Sequence, residues 1–124
     1  MDFELTSDQR EIQALAREFA QAEIEPHAAE WDREHHFPKD LFGKLAELGL
    51  MGACVPEEYG GAGADFLSYI LMLEEISRAD AGVGVTVAVH TSAVTLPILT
   101  FGTEDHREGV ASFLEKRSPR FQGR

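Results

Sequence analysis

Asp80, His90 and Ser92 supply the residue types of a nucleophilic triad. Such a triad works only when nucleophile and base meet at hydrogen-bond distance and an acid orients the base. Ser92 has no flanking glycines to build a sharp nucleophile turn, and helical spacing would scatter the three. Glu74-Glu75 offers a carboxylate pair for acid–base work. Neighbours on a helix point about 100° apart, so the expectation is a solvated face, or Glu75 capping the next element. His35-His36 with His27 suggests a metal, but no acid or cysteine at ligand spacing joins them; a solvated helix end is expected. Gly60-Gly61-Ala62-Gly63 invites a phosphate cradle. No Lys-Ser/Thr follows it, and Glu57, Glu58 and Asp65 would repel phosphate. A structural turn is sufficient explanation. Cys54 lacks a cationic neighbour to lower its pKa, which predicts a buried, inert thiol. His90 lies in an uncharged run and has two readings. It is either a core histidine bonded to a neighbour such as Thr86 or Ser92, or a pocket-lining side chain. The residues alone assemble no complete catalytic site, no cofactor-binding site and no metal site.

The bulk properties narrow the class. A chain of 124 residues makes one domain with a modest core. The net charge of −11 argues against nucleic acid and against an anionic membrane surface. One cysteine excludes an internal disulfide and a cysteine metal cluster. The N-terminus is acidic and amphipathic, unlike a signal or transit peptide. The apolar run from Gly82 to Phe101 reads as too short and too rich in Thr, Ser and His to span a membrane. A cytoplasmic location is the expectation. The charge is uneven: residues 1–106 carry a net −14 and residues 107–124 a net +3, which marks a composition boundary.

The elements that would position these side chains follow from caps and periodicity. Thr6 with Gln9 forms a capping box, and Ile12, Leu15, Ala16 and Phe19 follow at helical spacing, predicting a helix to about Glu23. Pro26 suits the first turn of a second segment running towards Glu34. His35-His36-Phe37 breaks it, and Pro38 opens a third helix with a Leu41, Leu45, Leu48 stripe. Gly49 ends that helix. Leu50 to Val55 is short and apolar, and residues 57–63 form a loop. Asp65 caps a helix whose expected core face is Phe66, Tyr69, Ile70, Leu73 and Ile76, widened by Leu67, Leu71 and Met72. The run from Gly82 to Pro97 has no Asp, Glu, Lys or Arg, so burial is expected. Its Val and Thr content suggests a strand; its length favours a buried helix. Pro97 is expected to bend it, and Thr103 caps a last helix with Glu104 and Asp105 near its positive end. The class is all-α, about six helical segments and no sheet.

Residues 3 to about 106 resemble the N-terminal helical domain of the flavin-dependent acyl-CoA dehydrogenases. The likeness runs through Leu5-Thr6 with Gln9, Arg17-Glu18-Phe19-Ala20, Ile24-Glu25-Pro26, Phe37-Pro38 and Leu48-Gly49-Leu50-Met51-Gly52. It continues through Val55-Pro56-Glu57-Glu58-Tyr59-Gly60-Gly61-Ala62-Gly63, Glu74-Glu75-Ile76-Ser77-Arg78, Pro97-Ile98-Leu99 and Phe101-Gly102-Thr103-Glu104. The resemblance implies an orthogonal or up-down helical bundle. It implies a reaction in which a carboxylate removes the α-proton of an acyl-CoA thioester while a hydride leaves the β-carbon for FAD. It also places the base and most flavin contacts in other domains of the full enzyme. On this reading the chain alone is inactive, has no catalytic residue and binds no FAD. The central run becomes a helix beneath the acyl chain, with Val85, Thr86, Val89, His90 and Ala93 lining the acyl pocket. Small Val89 and Ala93 favour more than a very short chain, since each buried methylene contributes about 0.8 kcal/mol.

The resemblance implies residues 1–106 as the domain and residues 107–124 as a divergent basic tail, from a shifted or truncated reading frame near residue 107. Three functional readings follow. The chain is an N-terminal part of an acyl-CoA dehydrogenase acting on acyl-CoA. Otherwise it is a helical interaction module pairing with a separately encoded remainder, or a non-catalytic acyl binder. An isolated copy is expected to self-associate through exposed apolar surface.

Overall fold

The computed structural model describes residues 3–123. Seven α-helices follow one another: α1 (Ser7–Phe19), α2 (Ala28–Glu34), α3 (Lys39–Glu47), α4 (Phe66–Ala79), α5 (Ala81–Ala88), α6 (Leu96–Phe101) and α7 (Glu104–Leu114). A π-helical segment, Val89–Thr95, joins α5 to α6, so Ala81–Phe101 forms one continuous rod. The described residues therefore hold six rods and no strand, the all-α architecture expected.

The local signals act where the side chains supply them. Thr6 accepts from the Gln9 N–H at 3.2 Å while Gln9 Oε1 accepts from the Thr6 N–H at 3.0 Å, satisfying donors left open by the first helical turn. Helix α1 runs on through a π-turn, Ala20–Ile24. The second segment begins at Ala28, after a turn containing Pro26. His35 ends α2 in the left-handed region at φ 54°, and Gly49 follows α3 at φ 77°. Asp65 Oδ1 accepts from the Ser68 N–H at 2.7 Å. Asp80 Oδ1 accepts from the Val83 N–H at 2.8 Å, so one residue both ends α4 and opens α5.

The core lies where α4 meets α1 on one side and α5 on the other. Ala16, Phe19, Ala20 and Ile24 pack with Leu45, Tyr69, Met72, Ile76, Val83 and Val87. Close approach of α4 and α5 depends on Gly84. A methyl group there would fall 2.1 Å from Ser77 Oγ and 2.9 Å from Ser77 Cα.

The structure corrects several sequence expectations. Leu48 is exposed, because α3 ends in its turn, and of the expected stripe Leu41 and Leu45 are buried in the core. On α4 the buried line is Ser68, Tyr69, Met72, Glu75 and Ile76, whereas Phe66, Leu67 and Ile70 face outward. The central run is buried on one face only, through Val83, Gly84, Val87, Thr91 and Thr95. It is also not short: Ala81–Phe101 is 21 residues and apolar enough to cross a bilayer by length and composition alone. That is the one helix among the described residues to meet those criteria, and it packs here against α4.

Candidate functional site

Several of the side chains singled out for chemistry are engaged elsewhere. Asp80 is spent on its cap, and Ser92 Oγ shares a 2.9 Å hydrogen bond with the Tyr69 hydroxyl. The Asp80, His90 and Ser92 types are therefore not brought together. His27 stacks on Trp31 with ring centroids 5.6 Å apart, and among the described residues no three His, Cys, Asp or Glu converge on a metal position. Cys54 has its thiol pKa pushed up, first by burial and then by Asp65. A raised thiol is a poor nucleophile near neutral pH.

The glycine loop is a turn whose N–H groups are already used. Those of Gly61, Ala62, Gly63 and Ala64 donate to the carbonyls of Pro56, Gly52, Val55 and Ala53. A phosphate would find no free backbone donors among these four. Gly61 packs so closely that a Cβ would fall 2.0 Å from the Val55 carbonyl oxygen.

The Glu74-Glu75 pair divides sharply. Glu74 meets Arg78 on the surface, at 3.3 Å. Glu75 is not a solvated residue or a cap, as expected from its sequence. Its side chain is only 3% exposed and accepts two hydrogen bonds from Arg17, at 2.8 and 3.2 Å. The Arg17 hydrogen bonds hold the Glu75 carboxyl below its ordinary range against the opposing effect of burial. Gln9 Nε2 donates to Asp65 Oδ2 at 2.8 Å and fastens the other end of the same seam. Arg17 and Glu75 lie 58 positions apart, and no local spacing announces the pair.

The remaining candidate surface is the free face of the Ala81–Phe101 rod. Val85 and Val89 are 61% and 52% exposed, Ala93 is exposed, and Thr86 is half-buried beside them. Thr86 donates to the Gly82 carbonyl at 2.9 Å, which keeps its hydroxyl on its own helix. His90 is half-buried. Burial lowers its pKa, and a hydrogen bond to the Met51 backbone opposes that shift. The Thr86 and Ser92 hydroxyls pair with the Gly82 carbonyl and the Tyr69 hydroxyl rather than with His90. The five residues occupy neighbouring positions along one rod, and what they present is mostly aliphatic.

The π-turn was not foreseen from the sequence. It lies just before Pro97, which has no N–H to return to the preceding turn. Leu96 donates to the Thr91 carbonyl, five residues back, and Thr95 Oγ1 donates to the His90 carbonyl at 2.9 Å. The widened turn leaves Thr91 Oγ1 buried without a partner among the described residues. Proline in a helix-length apolar run was the available signal, and the ladder absorbs it by widening.

Comparison with known proteins adds family context. The family model described as acyl-CoA dehydrogenase, N-terminal domain, matches residues 6–114, past the charge reversal near residue 107. A probable acyl-CoA dehydrogenase of Bacillus subtilis, YngJ, is 43% identical over 108 residues, covering 87% of this chain and 28% of the relative. The bovine mitochondrial short-chain specific acyl-CoA dehydrogenase is 44% identical over 105 residues, covering 85% of this chain and 26% of that one. The structure of butyryl-CoA dehydrogenase from Megasphaera elsdenii superposes with a TM-score of 0.87 at 39% identity, covering 93% of this chain and 31% of that chain. The chain thus spans between a quarter and a third of the length of these relatives.

Proposed function

This chain belongs to the acyl-CoA dehydrogenase family, carrying its N-terminal domain, and we propose on that footing that it supplies the floor of an acyl-chain pocket for α,β-dehydrogenation of acyl-CoA thioesters. The floor residues are Val85, Thr86, Val89, His90 and Ala93. The observation that carries the reading is the aliphatic face of the Ala81–Phe101 rod, left open to solvent while the opposite face is buried. An open aliphatic strip binds by removing methylenes from water, at about 25 cal/mol per Å² of apolar area. Small side chains at Val89 and Ala93 leave depth for more than a very short chain.

The family is flavin-dependent, and FAD would supply the hydride acceptor. The glycine loop does not fit a flavin pyrophosphate. Its N–H groups are occupied, and Glu57, Glu58 and Asp65 flank it in the sequence. The family resemblance supports placing the flavin contacts and the proton-abstracting carboxylate in other domains of the full enzyme. The chain alone is expected to be inactive. The remainder of the enzyme, or a second copy, is the expected cover for the exposed apolar side chains, and a cytoplasmic location is part of the same reading.

Methyl resonances provide the test. Titration with octanoyl-CoA is expected to shift signals of Val85, Val89 and Ala93, while free CoA leaves them in place. Identical responses to octanoyl-CoA and CoA, or none at millimolar ligand, would overturn the floor assignment.

A further inference from the structure

Two helices of the chain open with the same reciprocal device, built from different chemistry. At α1 the Thr6 hydroxyl accepts from the Gln9 N–H, and the Gln9 amide oxygen accepts from the Thr6 N–H. At α7 the box is closed by a histidine. The His106 N–H donates to Thr103 Oγ1 at 3.4 Å, and the Thr103 N–H donates to His106 Nδ1 at 3.2 Å. The Thr103 hydroxyl lies 2.9 Å from the same ring nitrogen. A backbone N–H can only donate, so Nδ1 is the unprotonated nitrogen of a neutral ring and the ring proton sits on Nε2. The Gln9 amide gains no proton near neutral pH, whereas an imidazole does. The two boxes are alike in geometry and unlike in their response to acid.

Protonation acts on the box in two ways. An imidazolium has two N–H donors and no lone pair, so the Thr103 N–H would face a donor in place of its acceptor. It also sets a positive charge at the positive end of α7. His106 is exposed, so solvent protons reach it. Glu104 and Asp105 share its turn and attract a cation. Glu104 is paired with Arg107 at 2.6 Å, and Asp105 Oδ1 accepts from the Gln122 N–H at 2.7 Å. His90 faces the same groove from the Ala81–Phe101 rod, and α6 carries no titratable side chain. The turn Glu57–Tyr59 packs on α7, and its Glu58 opens on a cleft shared with Glu108, Arg117 and Arg120. Attraction to these carboxylates acts on the charge of the ring; it returns no lone pair to Nδ1.

We propose that Thr103 and His106 form an acid-released clasp: the neutral ring holds the first turn of α7 against the Thr103 amide, and protonation of the ring lets that turn go. The release is local. Arg107 Nε donates to the Leu99 carbonyl at 3.2 Å and keeps α7 tied to α6 one residue further on. What loosens is the helix start and the edge that His106 gives to the groove beside Val110. The α1 box, closed by Gln9, stays shut over the same range. The clasp stands apart from the acyl-floor reading, since neither Thr103 nor His106 belongs to that floor.

Nuclear magnetic resonance of the full chain tests this between about pH 8 and pH 5, the span in which histidine changes charge. At the upper end the ring nitrogens of His106 are expected to report the Nε2–H tautomer. On acidification the Thr103 amide proton should move upfield as it loses its acceptor, and the Cα shifts of residues 104–107 should move towards coil values. In His106→Gln, which keeps an acceptor and keeps His90 and every carboxylate, both responses are expected to vanish. The Thr6 amide should hold still in both proteins. An Nδ1–H tautomer at the upper end would overturn the proposal, and that reading needs no variant. An α7 response of equal size in His106→Gln would overturn it too, as would a ring that titrates while residues 103–107 stay unchanged. A Thr6 response matching that of Thr103 would mark a general loosening by acid and count equally against it.

Discussion

The seam between α1 and α4 and the free face of the Ala81–Phe101 rod are opposite solutions to one problem. Along the seam, Ala16, Met72 and Ile76 are fully buried, and two hydrogen-bonded pairs, Gln9–Asp65 and Arg17–Glu75, tie its ends. On the free face, Val85 and Val89 have similar chemistry and no cover within the described chain. Apolar side chains alone therefore do not mark a core. The seam is finished inside this domain, whereas the face is left open to solvent. Stability should reside in the first region and binding in the second.

Four substitutions probe that division. Ile76→Ala should cost about 2–5 kcal/mol, the range for truncating a fully buried aliphatic side chain. Urea denaturation followed by Trp31 fluorescence measures it, and a loss near zero would mean the seam is not the core. Glu75→Gln should cost roughly 1.5–3 kcal/mol, since it weakens charge-assisted hydrogen bonds at a buried site. Its pH dependence has a definite sign. The folded Glu75 pKa is depressed, so its contribution is complete above the ordinary value of 4.5 and is lost as pH falls through the folded value. The variant should accordingly lose less stability on acidification than the unaltered chain. A parallel decline in both would show that other carboxylates dominate.

Gly84→Ala should cost about 1–3 kcal/mol by overpacking. The methyl would press on the Ser77 backbone and force α4 and α5 apart. Since Gly84 is on the buried face of the same rod, this change separates the rod's two faces experimentally. The smallest effect belongs to the free face. Val85→Ser should alter the urea midpoint by under about 0.5 kcal/mol, as for ordinary surface changes. It should reduce self-association measured by light scattering. A large loss of stability there would place Val85 in a core after all and collapse the comparison.

Much of the fold is legible without coordinates because its signals are local. Thr6, Asp65, Asp80 and Thr103 are N-caps whose side chains reach donors three residues on, so sequence spacing alone places them. Gly49 follows a helix in a conformation that favours glycine. The candidate site is only half legible. Helical spacing groups Val85, Val89 and Ala93 on one face, but it does not say whether that face looks inward. The α4 helix shows the same limit: it is apolar nearly all round, and its chosen inward line includes Glu75 and leaves Ile70 outside.

The sequence by itself determined where helices begin and end, the all-α class and the family likeness, since caps, breakers and ordered motifs act within a few residues. Only the tertiary structure decided which of two adjacent glutamates is buried, that Arg17 would meet it, that Ser92 would pair with Tyr69, and that Phe121 would return near Gly109. The physical reason is one of range. A cap forms within a single turn, but burial depends on which rod lies opposite, and that is set by packing between segments far apart in the chain.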